Sequence, residues 1–215
     1  MLNTIVFDLD GTLLDTLNDL ANSVNYALRT CGLPERTVPE IRAFLGNGIR
    51  YLMTCAVGDA VKDEAEFEKV FQTFRTHYVE HSLDTTVSYP GIMPLLGKLR
   101  ERGVKMAIVS NKLDPAVQDL NEHFFQGYII SAVGESATVR RKPNPDAVLK
   151  ALHDLGSSLD EAIYIGDSEV DVETAVNAKL PCGLVLWGFR DEEYLRSLQG
   201  VTHYFTKPED ILDLF

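Results

Sequence analysis

The chain of 215 residues is 45% hydrophobic and 24% charged, enough to bury a sizeable core in one domain or two small ones. Lys plus Arg number 20 and Asp plus Glu 32, a formal net charge of −12 that argues against non-specific attraction to nucleic acid or to an anionic membrane. Three cysteines far apart, no basic leader before an apolar stretch and no apolar run of bilayer length predict a cytoplasmic protein without a disulfide framework.

In chain order, the first element is "TIVFDL" (4–9), in which apolar Ile5, Val6 and Phe7 run into Asp8. A run this short and this continuous suits a strand buried on both faces. Residues 16–85 contain no convincing strand. "TLNDLANSVNYALRTCG" places Leu17, Leu20, Val24, Ala27 and Leu28 on one helical face. A middle helical pair lies around "EIRAFLGNGIRYLMTCA", broken by Gly46 and Gly48. "DEAEFEKVFQTFRTHYVEHSL" places Phe67, Val70, Phe71, Phe74 and Tyr78 on one face. The expectation is a four-helix domain, 16–85, inserted into a domain made of 1–15 and 86–215, with Pro90-Gly91 marking the return.

Beyond it, strands are predicted at 105–110, 127–133, 162–167, 182–187 and, weakly, 202–206. Helices are predicted at 92–103, 144–156 and 170–180, the first two ending in a glycine suited to a helix C-terminus. Alternating strands and helices predict an α/β fold with a Rossmann-like, doubly wound parallel sheet.

Polar residues gather where the strands end. Asp8 and Asp10 close the first, Ser110 and Asn111 the second, and Asp167 a third, with Asp171 four residues on. In an open parallel sheet, ligands sit beyond those ends. Asp8 and Asp10 repel one another, and a cation would offset that repulsion. Three aspartates without His or Cys make a hard-oxygen site, which suits Mg²⁺ with a substrate phosphate better than Zn²⁺. Gly11 and Thr12 allow a sharp turn whose N–H groups can face an anion. Ser110 offers a hydroxyl, Asn111 an N–H, and Lys142 in "RRKPNPDA" a point charge. Such parts suit phosphoryl transfer, with one carboxylate attacking phosphorus and a neighbour acting as acid and base.

"DLDGTLLDT", "VSNK", "RKPNP" and "GDSEVD" resemble, in that order, the four motifs of the haloacid dehalogenase superfamily. The stretches "FLGNGIRYLM" and "YPGIMPLLGKLRERG" are similar to its phosphoglycolate phosphatase-like branch, and the resemblance spans essentially the whole chain. It implies a helical cap and a phosphatase acting on a small phosphorylated metabolite. It implies Asp8 as nucleophile and Asp10 as general acid/base. Mg²⁺ would be held by the Asp8 carboxylate, the Asp10 backbone carbonyl and Asp167, with Asp171 supporting the metal shell. Phosphate would be held by Ser110, Asn111 and Lys142, with Gly11 and Thr12 beside it. Asn47, Gly48 and Arg50 are candidates for substrate selection. A phosphomutase of the β-phosphoglucomutase type and an inorganic pyrophosphatase are the alternative readings. The partners expected are a small-molecule substrate, no nucleic acid and no membrane, in a monomer or weak homodimer. Arg140, Arg141 and the pair His77/His81 are read as solvated or packed groups.

Overall fold

The protein, described over residues 1–215 by a computed structural model, divides into two compact units. One is Met1–Leu14 with Ser88–Phe215; the other is Asp15–Val87. No helix is long and apolar enough to cross a membrane.

The first unit is built on six parallel strands. They are β1 (Thr4–Phe7), β4 (Lys105–Leu113), β5 (Ser131–Glu135), β6 (Ala162–Gly166), β7 (Cys182–Val185) and β8 (Val201–Phe205). Their order is β5-β4-β1-β6-β7-β8. Two short strands, β2 (Leu14–Asp15) and β3 (Val87–Ser88), pair where the chain leaves this unit and returns. The six strands fall where the sequence predicts strands, the weak one included, but β4 runs on to Leu113 and β5 begins at Ser131, four residues later than expected. Side chains alternate between two cores, as a sheet covered on both faces requires. Ile5, Phe7, Met106, Ile108, Ile163 and Ile165 pack with α5 (Ile92–Glu101) and α6 (Asp114–Phe125). Val6, Ala107, Val109, Ala162 and Tyr164 pack with α7 (Asp146–Leu155), α8 (Glu169–Ala178) and α9 (Glu192–Ser197).

Helices α6 and α9 are additional to the predicted set. Helix α6 follows β4 with no intervening loop, and Pro115 stands in its first turn, where a missing N–H costs nothing.

The chain begins at the centre of the sheet, fills one side through β4 and β5, then crosses β1 to build the other. The switch in direction falls at β1, between β4 and β6, and in open parallel sheets the carboxyl ends of the strands at such a switch are where ligands bind.

The second unit holds α1 (Leu17–Thr30), α2 (Val38–Phe44), α3 (Gly48–Val57) and α4 (Glu64–His81). Leu20, Val24, Ala27 and Leu28 of α1 are buried, as are Phe67, Val70, Phe71, Phe74 and Tyr78 of α4, the stripes the 3.6-residue period predicts, except that Leu17 at the start of α1 is only half-buried. Thr37 and Glu40 close a capping box at the start of α2. Asp19 on α1 is 1% exposed. Its carboxylate accepts the backbone N–H and the hydroxyl of both Thr85 and Thr86, at 2.5–3.1 Å.

Candidate active site

Asp8 follows β1 directly, Asp167 follows β6, and the end of β4 lies on the other side of β1. Pairing between β4 and β5 is irregular there. Val109 faces Val133 and Leu113 faces Glu135, so β4 takes four steps where β5 takes two. Bulges re-aim side chains, and this one aims Ser110 and Lys112 at one residue and Asn111 at another. Ser110 Oγ donates to Asp10 Oδ2 at 3.4 Å and Lys112 Nζ to Asp10 Oδ1 at 2.5 Å. Asn111 grips the backbone of Lys142: its Oδ1 accepts the Lys142 N–H at 2.6 Å and its Nδ2 donates to the Lys142 carbonyl at 3.3 Å.

Held in this way, Lys142 is buried with its Nζ 2.7 Å from Asp8 Oδ1, 2.8 Å from Asp171 Oδ1 and 3.1 Å from Tyr164 Oη. Tyr164 Oη donates to Asp171 Oδ1 at 2.9 Å. The other oxygen of Asp171 accepts the N–H groups of Asp167 and Ser168, both at 3.1 Å, and the Ser168 hydroxyl at 2.6 Å. Asp167 Oδ2 accepts the Phe189 N–H at 2.7 Å. Gly166 has no room for a side chain, since a Cβ there would fall on the Asp171 carboxyl. Gly11 takes a positive φ of 85°, and its Cβ would collide with Asp167.

The electrostatics are unbalanced. Burial raises the Asp8 pKa well above the ordinary value, the negative Asp171 raises it further, and Lys142 only partly offsets this. Burial and Asp171 push Asp167 up to about 7. Burial would also raise Asp171, but Lys142, Ser168 and Tyr164 outweigh it and hold that carboxyl low. Burial would lower Lys142, but Asp171 and Asp8 outweigh it and hold the ammonium charged. One lysine therefore faces three buried carboxylates.

Ligand atoms of Asp8, Asp167 and Asp171 all lie within 4.8 Å of one another. An all-oxygen donor set of this charge fits a hard divalent cation, and a cation there would relieve the excess negative charge.

One sequence expectation needs correction. The Gly11 N–H donates to the Leu14 carbonyl at 2.9 Å, so the turn itself uses the donor expected to face an anion. The Thr12 N–H points back to the Leu9 carbonyl at 3.4 Å. The buried Thr12 hydroxyl, in contrast, has no protein partner. Asn47, Gly48 and Arg50 lie in the helical unit, where Asn47 precedes α3 and Gly48 opens it. Arg50 sits over the rings of Phe67 and Phe71 and pairs with Glu64 and Glu68. His77 stacks between Tyr26 and His81, with Nδ1 at 3.0 Å from Ser23 Oγ. Arg140 pairs with Asp146 at 2.8 Å.

Sequence reasoning missed Lys112, Tyr164 and Ser168. Lys112 follows Ser110-Asn111 in "VSNK", so its neighbours were a signal; Tyr164 reads as core, which its ring is.

The model of the family described as haloacid dehalogenase-like hydrolase matches residues 5–185. The chain is 33% identical over 189 residues to a phosphoglycolate phosphatase of Aquifex aeolicus, covering 87% of this chain and 86% of that one. It is 34% identical over 193 residues to one of Rhodobacter capsulatus, covering 88% and 87%. Among solved structures, a protein of Lactobacillus delbrueckii subsp. bulgaricus provisionally named phosphoglycolate phosphatase superposes with a TM-score of 0.93 at 35% identity, covering 99% of this chain and 97% of that one. A match of this length, carried by relatives that share a third of their positions over most of both chains, makes this chain a member of the haloacid dehalogenase-like hydrolases.

Proposed function

We propose that this hydrolase is a Mg²⁺-dependent phosphatase that cleaves a small-metabolite phosphate monoester through an aspartyl-phosphate on Asp8. The observation that supports this most is the buried Lys142 between Asp8 and Asp171, beside Asp167, at the carboxyl ends of β1 and β6. Asp8 Oδ attacks phosphorus, the bond from phosphorus to the ester oxygen breaks, and Asp10 gives that oxygen its proton. Water then attacks the aspartyl-phosphate, Asp10 takes the proton, and inorganic phosphate leaves with Asp8 restored. Lys142 fixes the position of Asp8 and offsets charge on the phosphoryl oxygens. Ser110 supplies a hydroxyl from the adjacent strand. Mg²⁺ would be held by the Asp8 carboxylate, the Asp10 backbone carbonyl and Asp167, with Asp171 behind them. When bound it supplies charge neutralisation for the phosphoryl group.

The relatives' name makes 2-phosphoglycolate the first substrate to try. The test is phosphate release from a panel of small phosphate esters, with Mg²⁺ and with EDTA. Mg²⁺-dependent release supports the reading, and release undiminished by EDTA contradicts it.

A further inference from the structure

The chemistry above leaves one buried cation without a task. Lys112 is only 7% exposed, and burying an ammonium group is costly unless a partner compensates it. That partner is Asp10, 2.5 Å from Nζ, whose side chain is 20% exposed and so forms the open end of the pair. The second oxygen of Asp10 accepts from Ser110. Ser110 and Lys112 stand two apart on the bulged end of β4, which takes four steps past two of β5, and both turn to Asp10. The Lys112 N–H donates to Ser110 Oγ at 3.1 Å, which ties the two together. Lys142 serves a different pair, Asp8 and Asp171. The two lysines thus divide the carboxylates between them.

We infer that Lys112 is a positioning residue for Asp10, fixing one carboxyl oxygen and with it the orientation of the group, so that the other, whose contact from Ser110 is the longer one at 3.4 Å, is presented to the leaving oxygen of the substrate. This rests on the reading of Asp8 and Asp10 as nucleophile and acid/base. In the first step the bond from phosphorus to the leaving oxygen breaks as the Asp8–phosphorus bond forms. The proton passes from Asp10 to the leaving oxygen, and the electron pair of the broken bond stays on that oxygen. Proton delivery depends on hydrogen-bond geometry, and a small misplacement is costly. A leaving group that is already a weak base needs no proton, so it needs no positioned Asp10.

The test compares kcat/KM for two kinds of phosphate ester in Mg²⁺. Alkyl esters, 2-phosphoglycolate and glycerol 2-phosphate, leave poorly; 2,4-dinitrophenyl phosphate leaves well. Lys112→Met keeps most of the chain length and removes the charge. It is expected to lose about 100-fold on the alkyl ester, the scale of one general-acid contribution, and only a few-fold on the dinitrophenyl ester. Lys112→Arg restores a cation and is expected to recover part of the alkyl-ester loss. It also stands in for Lys112→Met in the same comparison if that variant does not fold, with the same bias at reduced size. Equal losses on both esters overturn the inference, because general damage to the site does not discriminate between leaving groups. A loss confined to the carboxylate-bearing 2-phosphoglycolate and absent with glycerol 2-phosphate also overturns it, since Lys112 would then be contacting substrate. If wild type hydrolyses none of these esters, the phosphatase reading itself fails. If wild type is active and the variants match it, the positioning role alone fails.

Discussion

Lys142 Nζ stands 2.7 Å from Asp8 Oδ1, and both groups are buried. A lysine and an aspartate so placed are stable together and costly apart. The same ammonium also meets Asp171 at 2.8 Å, so removing it strands two carboxylates in the interior. Lys142→Met is therefore expected to lose about 3–5 kcal/mol of unfolding free energy, the cost of breaking a buried pair from one side. Urea unfolding in EDTA measures it. Mg²⁺ is expected to restore part of the loss by supplying a cation to the same carboxylates. A loss below about 1 kcal/mol would show the pair to be no stronger than a surface ion pair.

The acids that Lys142 cannot neutralise give the metal-free protein a pH dependence of known sign. Asp167 is pushed from 3.8 up to about 7 by burial and by Asp171. Between those values the folded chain binds a proton that the unfolded chain has released. Its contribution to stability therefore falls as pH rises through that window and levels off above about 7. Replacing the acid by a neutral amide removes this dependence. In EDTA, wild type is expected to lose stability relative to Asp167→Asn between about pH 4 and pH 7 and to level off above that. Mg²⁺ binding requires the ionised form, so its affinity should rise over the same range. A stability difference independent of pH would contradict the assignment.

Asp19 predicts the opposite sign in the helical unit. Burial would raise its pKa, but the hydroxyls and N–H groups of Thr85 and Thr86 outweigh that and hold it below the ordinary value. An acid lowered in the folded state contributes stability above its unfolded pKa and loses it as pH falls through the folded value. Asp19→Ala is expected to cost about 3 kcal/mol at neutral pH by leaving buried donors unpaired. The gap to wild type should narrow in acid. Thermal unfolding at neutral and acid pH checks both halves, and a gap that widens in acid would contradict the account.

What the sequence could reveal depended on how local the cause is. Asp8, Ser110 and Asp167 stand at strand ends, and strand ends follow from short apolar runs, so their gathering was legible once the sheet was parallel. The helical unit was legible for a similar reason: the stripes from Leu20 to Leu28 and from Phe67 to Tyr78 are written in the 3.6-residue period. Lys112 was not legible, because its reach to Asp10 depends on a bulge created by pairing with β5. Nor was the grip of Asn111 on Lys142, which joins residues 31 apart in sequence. The Gly11 N–H misled because a glycine turn allows a donor to face outward without requiring it, and here Leu14 takes it. Arg50 carries a charge that Glu64 and Glu68 meet and that two phenylalanine rings cover.

The central claim is that Asp8 is the nucleophile of a Mg²⁺-dependent phosphatase. The most direct test is phosphate release by wild type and Asp8→Asn, side by side, on esters that wild type hydrolyses, with circular dichroism to show that both are folded. Wild type should release phosphate with Mg²⁺ and stop in EDTA. Asp8→Asn should fold and lose turnover on the order of 10⁶-fold, the scale for removing a nucleophile that acts as part of a unit. A folded Asp8→Asn that turns over near the wild-type rate would contradict the account.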